Sequence, residues 1–580
     1  MTIQTPTNNT MELPNPASLA RWAVEFLRAR PEPEQESATC VAPSSLAAGS
    51  LPPAEPSPLA QTTLLSLPVP HVGRFVTVTG ESPPTLPTFS EWDATAFVAP
   101  VVPPAVARSS LAAPAFSTDS VSPPVPTAFA AGLPQKQPTA GPSTDTGQPF
   151  YFLDFAPPAT ATPLGIRPEN PLPAPVLDVR GLRRDFPILQ ERVNGKPLIW
   201  FDNAATTQKP QAVIDRLAQF YTHENSNIHR AAHVLAARAT DAYENARAAV
   251  RRFIGAADPD EIVFVRGTTE GINLIAQSWG QRNIGPGDEI VVSHLEHHAN
   301  IVPWQSLAQK NDARLRVIPV DDDGQIRLDA LRELLNEKTR LVAVTQVSNA
   351  LGTVTPVAEI IAAAHAVGAR VLVDGAQSVA HLAVNVRALD VDFFVFSGHK
   401  IYGPTGIGTV YAKREILENM PPWQGGGNMI QDVTFEHTVY QGPPARFEAG
   451  TGNIADATGL ATALAYVERV GLPAIAAYEH LLLEYTTAGL REIPGVRLIG
   501  TAAHKASVSS FVLDGYATEE VGRALNEEGI AVRTGHHCAQ PILRRFGLEA
   551  TVRPSFAFYN TTDEIDCLLA VVRKLAGRST

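Results

Sequence analysis

From residue 180 onward, short apolar runs rich in β-branched and aromatic residues alternate with longer amphipathic stretches, and this alternation leaves few folds open. The runs EIVFV (261–265), EIVVSH (289–294), RLVAVTQV (340–347), RVLVDG (370–375) and DFFVFS (392–397) are separated by helical patterns such as 234–253 and 356–367. Strands joined through helices pair in parallel, because a helical crossover returns the chain to the same end of the sheet. The expected architecture is α/β with a mainly parallel central sheet, and ligands belong at the carboxyl ends of its strands.

The first 180 residues follow another pattern. They hold 33 of the 50 prolines but only 22 charged residues and one lysine, Lys136. Runs such as LPPAEPSP and VSPPVP bury too little apolar surface to offset chain entropy. Residues 1–175 therefore read as a long disordered N-terminal arm, and residues 176–580 as the folded body. Three apolar islands interrupt the arm: SLARWAVEFLRAR (18–30), FSEWDATAF (89–97) and PFYFLDF (149–155). In the first, Leu19, Trp22, Ala23 and Phe26 share one helical face behind Asn15 and Pro16, and such a short helix forms fully only on a partner surface.

A net charge of −12 argues against a nucleic-acid partner, which needs a basic face. Three well-separated cysteines, Cys40, Cys538 and Cys567, cannot build a disulfide framework and suit a reducing compartment. No apolar run approaches the ~20 residues that span a bilayer. The opening MTIQTPTNNT lacks the basic and apolar regions of a signal peptide, so the expected setting is cytoplasmic.

The chemistry-bearing motifs fall at strand ends. In DFFVFSGHKIYGPTGIG, Ser397, His399 and Lys400 emerge together, and lysine is the side chain that condenses with an aldehyde cofactor. In VLVDGAQS, Asp374 ends a very apolar strand, where a buried carboxylate needs a cationic partner such as a pyridinium nitrogen. Gln377 stands three residues on, within reach of a phenolic oxygen. A structural N-cap or a magnesium ligand is the rival reading of Asp374. RGTTEGINL places Thr268 and Thr269 between a strand and a helix, a phosphate-binding position. Together these point to pyridoxal 5′-phosphate (PLP).

SHLEHHAN carries His294, His297 and His298; the spacing is not that of a zinc site, and His297 is the candidate to cover the cofactor ring. In AVRTGHHCAQP, Cys538 follows two histidines in a turn-like segment with Arg533 nearby, surroundings that favour the nucleophilic thiolate. Metal binding by His536, His537 and Cys538 is the alternative, one ligand short. Arg553 in TVRPSFAFYN suits a bidentate clamp on an α-carboxylate.

Residues 180–575 resemble the group II (SUF-type) cysteine desulfurases and selenocysteine lyases of the class V aminotransferase fold. The resemblance runs through FDNAATTQKP (201–210), NIHRAAH (227–233), FVRGTTEGINL (264–274), EHHANIVPWQ (296–305), SNALGT (348–353), DGAQS (374–378), SGHKIYGPTGIG (397–408), RFEAGTGN (446–453) and RTGHHCAQP (533–541). It implies PLP fold type I, with a large domain over about 200–440 and a small α/β domain built from about 180–199 and 441–580. It also implies a homodimer in which Thr451 reaches the neighbouring subunit's phosphate. Asn349 is then expected at the cofactor oxygen or the substrate, and Asn203, Ala204 and His229 at the substrate entrance. Gly452 stands where family members carry proline, and Pro554 where a small residue is usual.

The activity so implied converts L-cysteine to L-alanine. Arg553 holds the carboxylate, Lys400 or His297 moves the α-proton, and Cys538 takes the sulfur as a persulfide. Selenocysteine lyase, transamination, or a desulfurase feeding iron–sulfur assembly through a SufE-like acceptor are the rival readings, together with a vestigial site on a scaffold. The arm resembles the extensions of desulfurases packaged in family 2 encapsulin nanocompartments, and implies that residues 1–175 dock on a shell protein.

Overall fold

A computed structural model of the chain describes residues 177–228 and 233–578; the three apolar islands of the arm, Cys40 and His229 lie outside the described residues. The body is built on a seven-stranded sheet. Its strands are β1 (Ile262–Val265), β2 (Glu289–Ser293), β3 (Arg314–Ile318), β4 (Thr339–Thr345), β5 (Arg370–Asp374), β6 (Phe393–Ser397) and β7 (Gly408–Ala412). In space they run β1-β7-β6-β5-β4-β2-β3. The five strands from β6 to β3 are mutually parallel, and β7 is antiparallel to both β6 and β1. The mixed, mostly parallel sheet is the one that the alternation of runs predicts. Strands such as β1, β5 and β6 are almost wholly buried because helices cover both faces, which explains their continuous rather than alternating apolar character.

Register matters here more than topology. Thr345 lies opposite Asp374, and Asp374 opposite Val395, so the ends of β4, β5 and β6 form one edge. Since β7 reverses direction, β1 delivers its own carboxyl end to that edge. Gly408, the first residue of β7, makes this close: a Cβ there would stand 2.5 Å from the Cα of Gly267 and 2.7 Å from the Phe396 carbonyl. Only a residue without a side chain lets the Gly267 turn settle against Ser397.

A second, four-stranded antiparallel sheet lies toward the C-terminus. It comprises β8 (Val496–Ile499), β9 (Ser510–Leu513), β10 (Arg533–Gly535) and β11 (Thr551–Arg553), ordered β8-β9-β11-β10. The N-terminal segment joins this part of the body, with Ile199–Trp200 pairing in parallel with Ile530–Ala531. Helix α1 (Val234–Ile254) carries the large lobe's outer layer, and α2 (Thr268–Ile275) begins where β1 ends. Helix α3 (Ile454–Val470), beyond the expected boundary near 441, packs on α1 and on Gln211–Gln219. Among the described residues no single helix is long and apolar enough to cross a membrane.

One buried ion pair ties these layers together. Arg247 of α1 donates to Glu448 through Nη1 at 2.8 Å and Nη2 at 3.0 Å, and its guanidinium lies over the rings of Tyr243 and Phe264. Glu448 also accepts the Tyr243 hydroxyl and the Phe264 N–H. Removing Glu448 leaves the buried Arg247 with the half-exposed Glu244, 2.9 Å from its Nε, as its remaining counter-charge. Glu448→Ala is expected to cost about 3–5 kcal/mol, measured as a lowered midpoint of chemical unfolding.

Candidate active site

The shared strand edge opens into a cavity of about 420 Å³. Thirteen of the candidate residues line it: Ala204, Thr268, Thr269, His297, Asn349, Asp374, Gln377, Ser397, His399, Lys400, Arg533, Cys538 and Arg553. They come from segments up to some 350 positions apart, and each arrives for a local reason.

On one wall, the turn between β1 and α2 is pinned to the end of β6. The Thr268 N–H donates to Ser397 Oγ at 2.8 Å, and the two hydroxyls lie 2.8 Å apart. Backbone N–H groups at a helix start and two hydroxyls thus converge where an anion binds well. The next turn, Gly398–Lys400, presents His399 and Lys400. Its geometry is held by the 206–209 segment, since the His399 carbonyl accepts the Thr207 N–H at 3.0 Å and the Thr206 hydroxyl at 2.9 Å. Tyr402 has a left-handed φ of 62° and donates its N–H to Thr207 Oγ1 at 2.7 Å.

Lys400 and Asp374 meet at the cavity floor. Burial lowers the Lys400 pKa; Asp374 works against that shift and Arg553 adds to it. Burial raises the Asp374 carboxyl, which takes the Ala376 N–H at 2.9 Å on one oxygen. His297 accepts the Ala299 N–H on Nδ1 at 3.0 Å, and burial with the Lys400 charge pushes its pKa down to about 3. It is therefore a neutral imidazole with its proton on Nε2. His399 is likewise pushed down to about 4, by burial and then by Lys400.

Glu296, which sequence reasoning passed over, sits fully buried beside His297. Its carboxyl receives the Ser293 hydroxyl at 2.5 Å, the Asn300 amide at 2.6 Å and the Thr345 N–H at 3.0 Å. Burial nonetheless drives its pKa up to about 8, and the nearby Asp374 adds to the rise. The signal was an acid inside a histidine cluster, which drew attention to metal binding instead. Among the described residues no group of three or more His, Cys, Asp or Glu is arranged to hold a metal.

The opposite wall belongs to the small lobe. Cys538 is an exposed free thiol on a loop where both His537 and Cys538 have left-handed φ, 53° and 54°. Two bonds from the large lobe hold that loop: the His298 N–H donates to the Cys538 carbonyl at 2.8 Å, and Asn349 Nδ2 donates to the His537 carbonyl at 2.7 Å. Arg553 is 2% exposed; its Nη1 donates to the Asn349 carbonyl at 2.9 Å and its Nη2 to Asp202 at 3.0 Å. Burial lowers its pKa to about 10 despite the Asp202 charge. Arg533, expected beside the thiol, pairs with the other Asp202 oxygen at 2.9 Å.

Several candidates stand otherwise than the motifs alone suggest. Gln377 spends an amide hydrogen on the Ala204 carbonyl at 2.6 Å. Asn203 is absent from the cavity wall: its amide donates to the Ser555 carbonyl at 2.7 Å and its oxygen accepts the Tyr559 hydroxyl, so it staples the N-terminal segment to the small lobe. Thr451 lies outside its own chain's cavity, exposed and 3.4 Å from Asn227 Oδ1.

The loop under Cys538 carries a pH signature. His537 bonds to the Thr551 hydroxyl at 2.8 Å, and burial, then Arg553, holds its pKa far below the usual imidazole value. The folded state therefore binds fewer protons than the unfolded chain, so His537 contributes stability that is full above about pH 6.5 and lost as pH falls below it. His537→Gln does not titrate, and its melting temperature is expected to fall less than the parent's between about pH 7 and about pH 5.

The family model for aminotransferase class-V matches residues 199–568. A cysteine desulfurase of Synechococcus elongatus is 64% identical over 449 residues, covering 75% of this chain and 72% of the relative. A probable cysteine desulfurase of Mycobacterium leprae is 67% identical, with 70% of this chain and 66% of that protein covered. A Dickeya dadantii cysteine desulfurase is 55% identical, covering 68% of this chain and 96% of its own length. Among solved structures, the S-sulfonic acid form of an Escherichia coli cysteine desulfurase superposes with a TM-score of 0.65 at 39% identity. It covers 70% of this chain and 99% of that one.

Proposed function

Because the chain belongs to the aminotransferase class-V family, we propose that it is a PLP-dependent cysteine desulfurase of the group II type, with Cys538 as sulfur acceptor. The observation that carries this reading is the presence of an exposed thiol in the same cavity as Lys400, Asp374 and Arg553. An apolar strand-end acid with only one oxygen engaged by the backbone, a lysine whose pKa is lowered by burial, and the Ser397–Thr268 cradle fit PLP. Lys400 would hold its aldehyde carbon, Asp374 its ring nitrogen, Gln377 and Asn349 its ring oxygen, and Thr268, Thr269, Ser397 and His399 its phosphate. When bound, the cofactor acts as an electron sink at the substrate's α-carbon.

The chain's own groups account for the rest. Arg553 holds the carboxylate of L-cysteine. Lys400, with its pKa lowered, takes the α-proton; His297 is a poor base, since Nδ1 is occupied and Nε2 is protonated, and its role is to cover the ring. The Cys538 thiolate attacks the substrate sulfur: the Cβ–S bond breaks, an S–S bond forms, and the electron pair left on carbon takes a proton to give L-alanine. Lys400→Ala should slow alanine formation by about 10²–10⁴-fold. Cys538→Ser should form no persulfide, and mass spectrometry should find the extra sulfur on the Cys538 peptide of the parent alone. Selenide release from selenocysteine that survives in Cys538→Ala, with cysteine turnover lost, would favour the selenocysteine lyase reading.

The finer reading places the protein in the cytoplasm as a homodimer, with Thr451 serving the neighbour's phosphate site and the arm docking on an encapsulin shell. Support comes from the proline-rich composition of residues 1–175 and its three spaced aromatic islands, which suit multivalent capture. Co-expression with shell proteins should package the full chain and exclude one lacking residues 1–175. Equal packaging of both would end the targeting idea and leave the chemistry standing. A SufE-like protein, iron–sulfur assembly and stored sulfur are the destinations to compare for the persulfide.

A further inference from the structure

Asp202 is a carboxylate held between two arginines that line the cavity, and the reaction described above gives it no part. Its Oδ1 accepts Nη2 of Arg553 at 3.0 Å, and its Oδ2 accepts Nη2 and Nε of Arg533 at 2.9 and 3.1 Å. It is 8% exposed and sits where the N-terminal segment bridges to Ser555, beside Arg553 in the chain's last strand. Arg553 has Nη1 on the Asn349 carbonyl, while its Nε is buried with no partner.

That orphan N–H is the informative atom. In a guanidinium the Nε–H and one hydrogen of the adjacent Nη lie side by side and form a fork that matches a carboxylate. Asp202 takes one hydrogen of Nη2 and Asn349 takes Nη1, so the protein fixes the plane of the guanidinium and leaves the Nε edge unused. Charge accounting agrees. Two arginines and one aspartate leave a single positive charge, which one α-carboxylate neutralises.

We propose that Asp202 is a positioning residue that sets carboxylate recognition: it fixes the Arg553 guanidinium, whose Nε–H has no protein acceptor, and cancels the second cation, Arg533. The inference rests on the reading of Arg553 as the carboxylate-binding residue. Without Asp202 the guanidinium is free to rotate about its long stem and faces an uncompensated arginine. Asparagine in its place accepts from one arginine through its oxygen but turns an N–H₂ donor toward the other, so it cannot hold both.

The test compares L-cysteine with cysteamine, which has the same thiol and amine but no carboxylate, on the full-length holoenzyme. Dissociation constants come from spectral titration and from calorimetry, with L-alanine and ethylamine as an unreactive second pair, and melting temperatures report folding. Asp202→Asn is expected to weaken L-cysteine and L-alanine by about tenfold or more and to leave cysteamine and ethylamine unchanged. KM should rise while kcat changes little. An equal loss for both members of each pair marks a merely structural role and overturns the proposal. Arg553→Lys separates the underlying reading: if it leaves the carboxylate preference intact, the assignment of Arg553 falls and Asp202 with it. If Arg553→Lys abolishes the preference while Asp202→Asn preserves it, only the Asp202 inference falls. Should Asp202→Asn fail to fold, Asp202→Glu carries the test: it keeps the charge but moves the carboxylate by one methylene, so it should weaken carboxylate ligands alone, and an unchanged preference overturns the proposal.

Discussion

Everything in the cavity depends on the alignment of parallel strand ends. The pairing register sets Thr345, Asp374 and Val395 in one row. Polar groups would be costly inside such a sheet, and those that serve the cavity sit at the last residue of a strand or in the turn beyond it. Ser293, Thr345, Asp374 and Ser397 are all terminal residues of buried strands. The reversal of β7 leaves this edge intact because it brings β1 in with the same polarity as its neighbours.

Electrostatics then divides the cavity. The floor combines Lys400 and Asp374, with Glu296 buried beside His297, each shifted mainly by loss of water. The small-lobe wall is cationic, with Arg533 and Arg553 sharing one aspartate. Neutral histidines lie between, and His297 and His399 are held uncharged by burial and by the Lys400 charge. A thiol on the cationic side and an amine on the acidic side suit a zwitterionic substrate whose two ends carry opposite charge.

How much of this was legible in the sequence depends on range. Asp374, Lys400 and the Thr268–Thr269 turn announce themselves locally, because a polar residue at the end of an apolar run has few structural uses. The sheet followed from the same runs. Asp202 left no such trace: its partner Arg553 is 351 positions away, and an aspartate after a short apolar pair reads as a turn. Glu296 was masked by the histidines around it. Asn203 and Asn349 lay in recognisable motifs, yet an amide offers both donors and an acceptor, and only the fold decides which partners they meet. The Thr451 expectation concerns a second subunit and so exceeds what one chain's geometry can express.

The left-handed backbone at Cys538 narrows its chemistry before reactivity is considered. A residue with φ near +54° tolerates an unbranched side chain, whereas a β-branched one crowds the preceding carbonyl. Threonine is thus strongly disfavoured at this position on steric grounds, whereas serine and cysteine fit it. The same strained pair of residues roots the thiol in the small lobe while its carbonyl is bound to the large one.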